Sequence, residues 1–378
     1  MKIVIAPDSF KGSLSATEVA RTVAEAVLEV CPDAEAVEIP LADGGEGMVE
    51  VLADAIDGKM TSCKVSDPLG KSIDAAYLLG DGEAFMEMSK AAGLPLLQES
   101  ERDPLKTSTY GVGEMILHAL ERGVRKIYMG LGGSATNDGG MGMLRALGYR
   151  FFDAHGKELE GVGGDLGKVV DIDGSGIDSR LKDVEFVAAC DVDNPFYGPS
   201  GAAHVFAPQK GADKDSVRIL DDGLHTFADV VNRKYGIDLQ SISGAGAAGG
   251  LGGAFAAFLD ARMMRGIEMV LDAVGFDEMI RHTDLIITGE GSLDRQSLMG
   301  KVLSGVLQRA KRSNVPVMAI AGRVADHKAL NDAGLLVALS IVQSPCSLAE
   351  CMDPTVTRHN IRATVAQALR LWTVASQK

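Results

Sequence analysis

Short apolar runs alternating with longer amphipathic stretches set the rhythm of this chain. Residues 2–6 are apolar and β-branched, the pattern of a buried strand. Ser15 and Glu18, three apart, match a capping box. Val19, Val23, Val27 and Val30 follow at helical spacing, which predicts a helix to about Cys31. A strand over 35–41 and a helix over about 48–56 come next. Residues 59–90 change period. Ser62–Val65, Ile73–Leu79 and Ala84–Met88 are short runs joined by turns at Pro68-Leu-Gly70 and Gly80-Asp-Gly82, predicting an antiparallel meander. A helix near 113–121 and strands at Lys126–Gly130 and Val184–Cys190 follow. The last hundred residues alternate again: a strand at Asp284–Thr288, a helix at Lys301–Lys311, apolar runs at Val315–Ala321 and Leu335–Val342, and a closing helix over 354–374.

Apolar strands alternating with helices predict an α/β fold with a parallel, doubly wound, flavodoxin-like sheet. Because the alternation occupies both chain ends, the expected domains are 1–75 with 283–378, and an inserted mixed α/β domain over 76–282.

Composition narrows the function. With 378 residues and 46% hydrophobic content the chain can bury large cores. Its 45 glycines show no period, which suits turn-rich α/β enzymes and excludes a fibrous chain. A net charge of −15 argues against nucleic acid and anionic membranes as partners. The longest uncharged stretch, 241–259, is mostly Gly and Ala, too weakly apolar to span a bilayer. Cys31, Cys63, Cys190, Cys346 and Cys351 show no paired spacing and read as reduced thiols of a cytoplasmic protein. The chain leaves a homodimer open.

In doubly wound sheets ligands bind beyond the carboxyl ends of strands. Polar loops follow predicted strands at Asp8–Ser13, Asp43–Gly47, Gly132–Gly140, Asp191–Pro195 and Gly289–Asp294. Gly132, Gly133 and Ser134 before a helix suit a phosphate-binding backbone, and Asn137 joins them as a cofactor contact. Asp138, Glu290 and Asp294 are candidate Mg²⁺ ligands. For Asn137 and Asp138 the plain alternative is helix capping. Asp8, Ser9, Asp43, Asn194 and Lys210 are candidate substrate contacts, with Glu46 beside Asp43 as a further carboxylate. Lys11 and Lys301 could meet phosphates. Asp191 or Asp193 could accept the proton of an attacking hydroxyl, and with Lys11 they form the candidate catalytic set. For Asp191, Asp193, Asn194, Glu290, Asp294, Lys301 and Lys210, each taken alone, a solvated surface role is about as common. Gly244–Gly249 matches G-x-G-x-x-G, but no clear strand precedes it. No zinc-ligand histidine spacing occurs.

The runs Ala6-Pro-Asp-Ser-Phe-Lys-Gly-Ser-Leu14, Ala42-Asp-Gly-Gly-Glu-Gly47, Gly132-Gly-Ser-Ala-Thr-Asn-Asp-Gly-Gly-Met141, Cys190-Asp-Val-Asp-Asn-Pro195, Pro208-Gln-Lys-Gly211 and Thr288-Gly-Glu-Gly291 resemble, in this order, the bacterial glycerate kinase family. The resemblance spans nearly the whole chain. It implies a two-domain enzyme with a flavodoxin-like part that uses ATP and Mg²⁺ to phosphorylate D-glycerate to 2-phosphoglycerate, in glycerate, glyoxylate or sugar-acid breakdown. Met48 stands where a small hydroxyl residue is expected, and Ser292 where a basic residue is common. The rivals are a nicotinamide-dependent oxidoreductase, motivated by Gly244–Gly249, and a non-catalytic glycerate sensor of related fold.

Overall fold

A computed structural model describes residues 1–44 and 47–376. Gly45 and Glu46 lie outside the described residues, so the Glu46 carboxylate receives no structural account. The chain divides into two compact units. The first comprises Met1–Asp43, Glu50–Asp57 and Gly266–Lys378, and the second Gly44–Val49 and Gly58–Arg265. The expected divisions at 75/76 and 282/283 therefore compare with 57/58 and 265/266 here.

The strands are β1 (Lys2–Ile5), β2 (Glu35–Glu38), β3 (Lys59–Ser66), β4 (Ser72–Leu79), β5 (Glu83–Glu87), β6 (Lys126–Gly130), β7 (Arg150–Phe152), β8 (Asp171–Asp173), β9 (Glu185–Ala189), β10 (Arg262–Met264), β11 (Leu285–Leu293), β12 (Val317–Val324) and β13 (Val337–Ser340). In the first unit the order β13-β12-β11-β1-β2 is parallel throughout. Counting β11 to β13 as third to fifth, this is the flavodoxin-like order 2-1-3-4-5, whose topological switch point lies between β1 and β11. Ile3 and Ile5 on β1 pack on Val19, Val23 and Val27 of the helix Ala16–Val30, and Ile361, Val365 and Leu369 of the helix Pro354–Ser376 complete that layer. The capping box forms as the sequence predicts: the Glu18 N–H donates to Ser15 Oγ at 3.2 Å, and the Ser15 N–H donates to Glu18 Oε2 at 2.9 Å.

The second unit holds the mixed sheet β10-β9-β6-β5-β4-β3. Here β3, β4 and β5 form the predicted antiparallel meander, while β5, β6, β9 and β10 are parallel. Since β3 and β4 pair along their whole lengths, the hairpin stays with this sheet.

Two expectations are corrected. Gly289–Asp294 is not a loop: β11 runs on to Leu293, with Ser292 opposite Arg323 and Leu293 opposite Val324. Long pairing with β12 overrides the glycines, which weaken a strand without forbidding one. Cys346 and Cys351 are not both free thiols but form a disulfide. They flank the short helix Leu348–Cys351, which brings their Cα atoms to 6.1 Å, within bridging reach. Cys31, Cys63 and Cys190 are free.

Candidate functional sites in the two units

In the first unit the site gathers at the β1/β11 switch point. Asp8 follows β1, and its N–H donates to Gly289 O at 2.8 Å. The Ser9 N–H donates to Asp8 Oδ1 at 2.6 Å. Burial pushes the Asp8 carboxyl up to about 7. The Ser9 N–H opposes this, and the charges of Asp43 and Glu290 add to it. Glu290 is itself buried on β11, and burial raises its carboxyl, against the Ser297 hydroxyl and Lys301. Glu290 Oε1 has no hydrogen-bond partner among the described residues. Lys11 is exposed in a tight turn closed by Phe10 N–H to Leu14 O at 2.8 Å. That turn lies over β11, since a side chain at Gly291 would start 3.7 Å from Lys11 N. Asp8, Ser9, Lys11, Asp43, Glu290 and Lys301 thus share one neighbourhood. Asp294 acts locally, its carboxylate accepting the Gln296 N–H at 2.8 Å and capping the 3-10 turn Arg295–Leu298.

In the second unit the loops follow the adjacent parallel strands β6 and β9, and Leu131 N–H donates to Ala189 O at 3.2 Å where they begin. Gly133 has φ +74°, a left-handed conformation that glycine adopts without strain. Asp138 is fully buried and saturated. Its Oδ2 accepts the Thr109 N–H at 2.7 Å, the Thr109 hydroxyl at 2.8 Å and the Gly142 N–H at 3.2 Å, and its Oδ1 accepts the Gly140 N–H at 3.0 Å. That leaves the carboxylate as a brace of the loop. Lys210 is 1% exposed, and its ammonium donates to Ser134 Oγ and Thr136 O, each at 2.7 Å. Burial pushes the ammonium down to about 7, with Asp138 opposing. Lys210 therefore staples the loop rather than standing open to a ligand. Asn137 is fully buried, and neither of its amide atoms has a partner among the described residues.

Asp191 and Asp193 are exposed beyond β9. Asp193 accepts the Ser243 hydroxyl at 3.1 Å and lies 3.9 Å from the Arg265 guanidinium. Asn194 is spent locally, its Nδ2 donating to Ser200 O at 2.7 Å. The Gly244–Gly250 run is a spacer. Side chains at Gly244 and Gly246 would start 2.8 Å from Cys190 Sγ and 2.3 Å from Pro195 O, and one at Gly249 would start 2.1 Å from Thr136 O. The run packs the 190–195 and 136–139 loops together, and a 3-10 turn, Leu239–Ser241, precedes it instead of a strand.

Of the expected Mg²⁺ set, Asp138 belongs to the second unit, and Glu290 and Asp294 to the first. Among the described residues no three His, Cys, Asp or Glu side chains are arranged to hold a metal. Thr109 and Glu87 do not stand out in the sequence. Thr109 lies in the polar run Thr107-Ser-Thr109 before a helix, which is a usable signal, whereas Glu87 ends a strand with no accompanying motif.

Comparison with known proteins agrees with the architecture. The family model of the glycerate kinase family matches residues 3–373. A glycerate kinase of Bacillus cereus is 46% identical over 100% of both chains. A glycerate 2-kinase of Escherichia coli K12 is 45% identical, covering 98% of this chain and 99% of the relative. A crystal structure from Salmonella typhimurium LT2, assigned as glycerate kinase 2, superposes with a TM-score of 0.91 at 43% identity over 100% of both chains. Among the described residues no helix is long and apolar enough to cross a membrane.

Proposed function

Because this chain belongs to the glycerate kinase family and is therefore a kinase, we propose that it transfers the γ-phosphoryl group of ATP to D-glycerate, giving 2-phosphoglycerate and ADP. The cytoplasm and the breakdown of glycerate or sugar acids are its setting. One observation supports the chemistry most: the loops after the adjacent parallel strands β6 and β9 lie side by side, glycine backbone on one and carboxylates on the other.

In this reading the N–H groups of Gly132, Gly133 and Ser134 hold phosphate oxygens, and Asp191 or Asp193 accepts the proton of the attacking hydroxyl. Lys11 and Lys301 neutralise anionic groups in the first unit. Mg²⁺ fits the first unit too. Glu290 Oε1 is a buried oxygen without a partner among the described residues, Asp8 and Asp43 are its acidic neighbours, and Mg²⁺ asks for only one or two carboxylates plus phosphate oxygens. Glu290 with one of these two neighbours would hold the ion, which would supply charge neutralisation on the phosphates. Catalysis is mainly positioning and electrostatic stabilisation.

The test is ADP release on adding D-glycerate, followed by enolase, which consumes 2-phosphoglycerate but not 3-phosphoglycerate. No ADP with any hydroxy acid would end the reading. ADP without an enolase signal would move the product to the 3-position.

A further inference from the structure

Glu87 ends β5 opposite Gly130, with only 2% of its surface exposed. A buried carboxylate is costly unless it is paired and hydrogen-bonded, so its partners indicate what it holds. The Val49 N–H donates to Glu87 Oε1 at 3.0 Å. Val49 is the second residue of the helix Met48–Ala55, which directly follows Gly44–Gly47. A carboxylate on the first-turn N–H groups satisfies an orphan donor and suits the helix dipole. On its other oxygen Glu87 faces Ser89 Oγ at 3.5 Å and the Lys90 ammonium at 3.8 Å.

Two independent contacts extend this anchor to both glycine loops. A side chain at Gly130 would start 3.2 Å from Gly44 O and 3.6 Å from Met48 Cε, so the Gly44 backbone lies against the end of β6. A side chain at Gly133 would start 3.2 Å from Ser89 Cβ, and Leu94 N–H to Gly133 O at 2.9 Å and Ala135 N–H to Ala92 O at 2.8 Å lace the 89–94 segment to the Gly132–Ala135 loop. We infer that Glu87 is a positioning residue for phosphoryl transfer. Its carboxylate sets the start of the 48–55 helix, and through Ser89 and the segment behind it the Gly132–Ser134 loop. The inference rests on the reading that this loop receives phosphate.

Three variants test it: Glu87→Gln, which keeps the volume and one acceptor oxygen, Glu87→Ala, and Val49→Pro, which deletes the donor in a helix turn that tolerates proline. Steady-state kinetics with ATP and D-glycerate are read beside hydrogen exchange of peptides covering 47–55 and 131–136. Glu87→Ala and Val49→Pro should lower kcat about 10²-fold, the scale of a roughly 1 Å misplacement, with smaller changes in KM. Both should speed exchange in the 47–55 peptide, and Glu87→Ala in the 131–136 peptide too, while Glu87→Gln stays near wild type in every readout. Should Glu87→Ala not fold, Val49→Pro carries the same comparison. Wild-type exchange in folded Glu87→Ala or Val49→Pro overturns the inference, as does Glu87→Gln as damaged as Glu87→Ala. A wild-type protein that makes no ADP with glycerate sinks the functional reading instead, and exchange still decides the role of Glu87.

Discussion

The two units present the same residue types in opposite states. In the second unit the charged groups of the glycine loop are satisfied by protein: Asp138 takes four donors, and Lys210 donates to two oxygens. In the first unit Asp8 and Glu290 sit at a sheet switch point under mutual repulsion, and one oxygen of Glu290 has no partner among the described residues. A satisfied buried charge maintains a shape, whereas an unsatisfied one carries a cost that only a ligand or protonation relieves. A residue's motif does not reveal which of these it is. Its partners do.

The largest contrast comes from deleting Asp138. Asp138→Ala leaves the N–H groups of Thr109, Gly140 and Gly142 buried without an acceptor, and should cost about 3–5 kcal/mol of stability. Denaturant unfolding checks this. A loss of activity at unchanged stability would mean that Asp138 meets a ligand after all. Next comes Lys210, whose ammonium lies at about 7 in the folded chain against an ordinary 10.5. Between those values the unfolded chain binds more protons than the native one, so stability rises with pH across that window. The cost of burying Lys210 is full below about pH 7 and gone above pH 10.5. Wild type should therefore gain on Lys210→Met by about 1.4 kcal/mol per pH unit between 7 and 10.5. Parallel unfolding profiles for the two proteins at pH 7 and pH 9 would refute it.

The first unit should behave in the reverse sense. Glu290→Gln removes a buried charge with one unpartnered oxygen, so stability should hold or rise by about 1 kcal/mol while kinase activity falls. Thermal melts and turnover at several Mg²⁺ concentrations check both halves. A variant that is destabilised and still active would make Glu290 a structural brace like Asp138.

The contrast between the units also marks what was legible in the sequence. The parallel sheet of the first unit was, because Ile3-Val-Ile5 and the Ser15–Glu18 box are local signals that tertiary packing reinforces. So were the loops that follow β1, β6 and β9. The helix Lys214–Tyr235 is hard to see in the sequence despite a stripe at Val217, Leu220, Leu224, Phe227 and Val231, since its many charges mask the apolar face. The end of β11 reads as a loop in the sequence because glycine marks loops by local preference, and pairing with β12 is a long-range fact. Roles within the loops were least accessible. That Lys210 points inward depends on Ser134 and Thr136, more than seventy residues away in sequence.

The smallest expected effect tests whether the second unit's loop is held by strain as well as by satisfied charges. Ala248, Gly249 and Gly250 have φ of 53°, 70° and 94° inside the helix Ala247–Phe258. The turn they make places Gly249 O on the Gly139 N–H at 3.0 Å and its Cα side against Thr136 and Asn137. Glycine takes this conformation freely, but for Ala248 it costs about 1–2 kcal/mol. Ala248→Gly removes that cost and adds chain entropy to the unfolded state, so the net gain should be only about 0.5 kcal/mol. If the turn is merely tolerated, kinetics will not change with the gain. If the strain helps hold the loop around the unpartnered Asn137 amide, Ala248→Gly should raise the KM for ATP while the melting temperature rises slightly. A destabilised Ala248→Gly would show that the left-handed turn carries no strain and that its methyl packs productively.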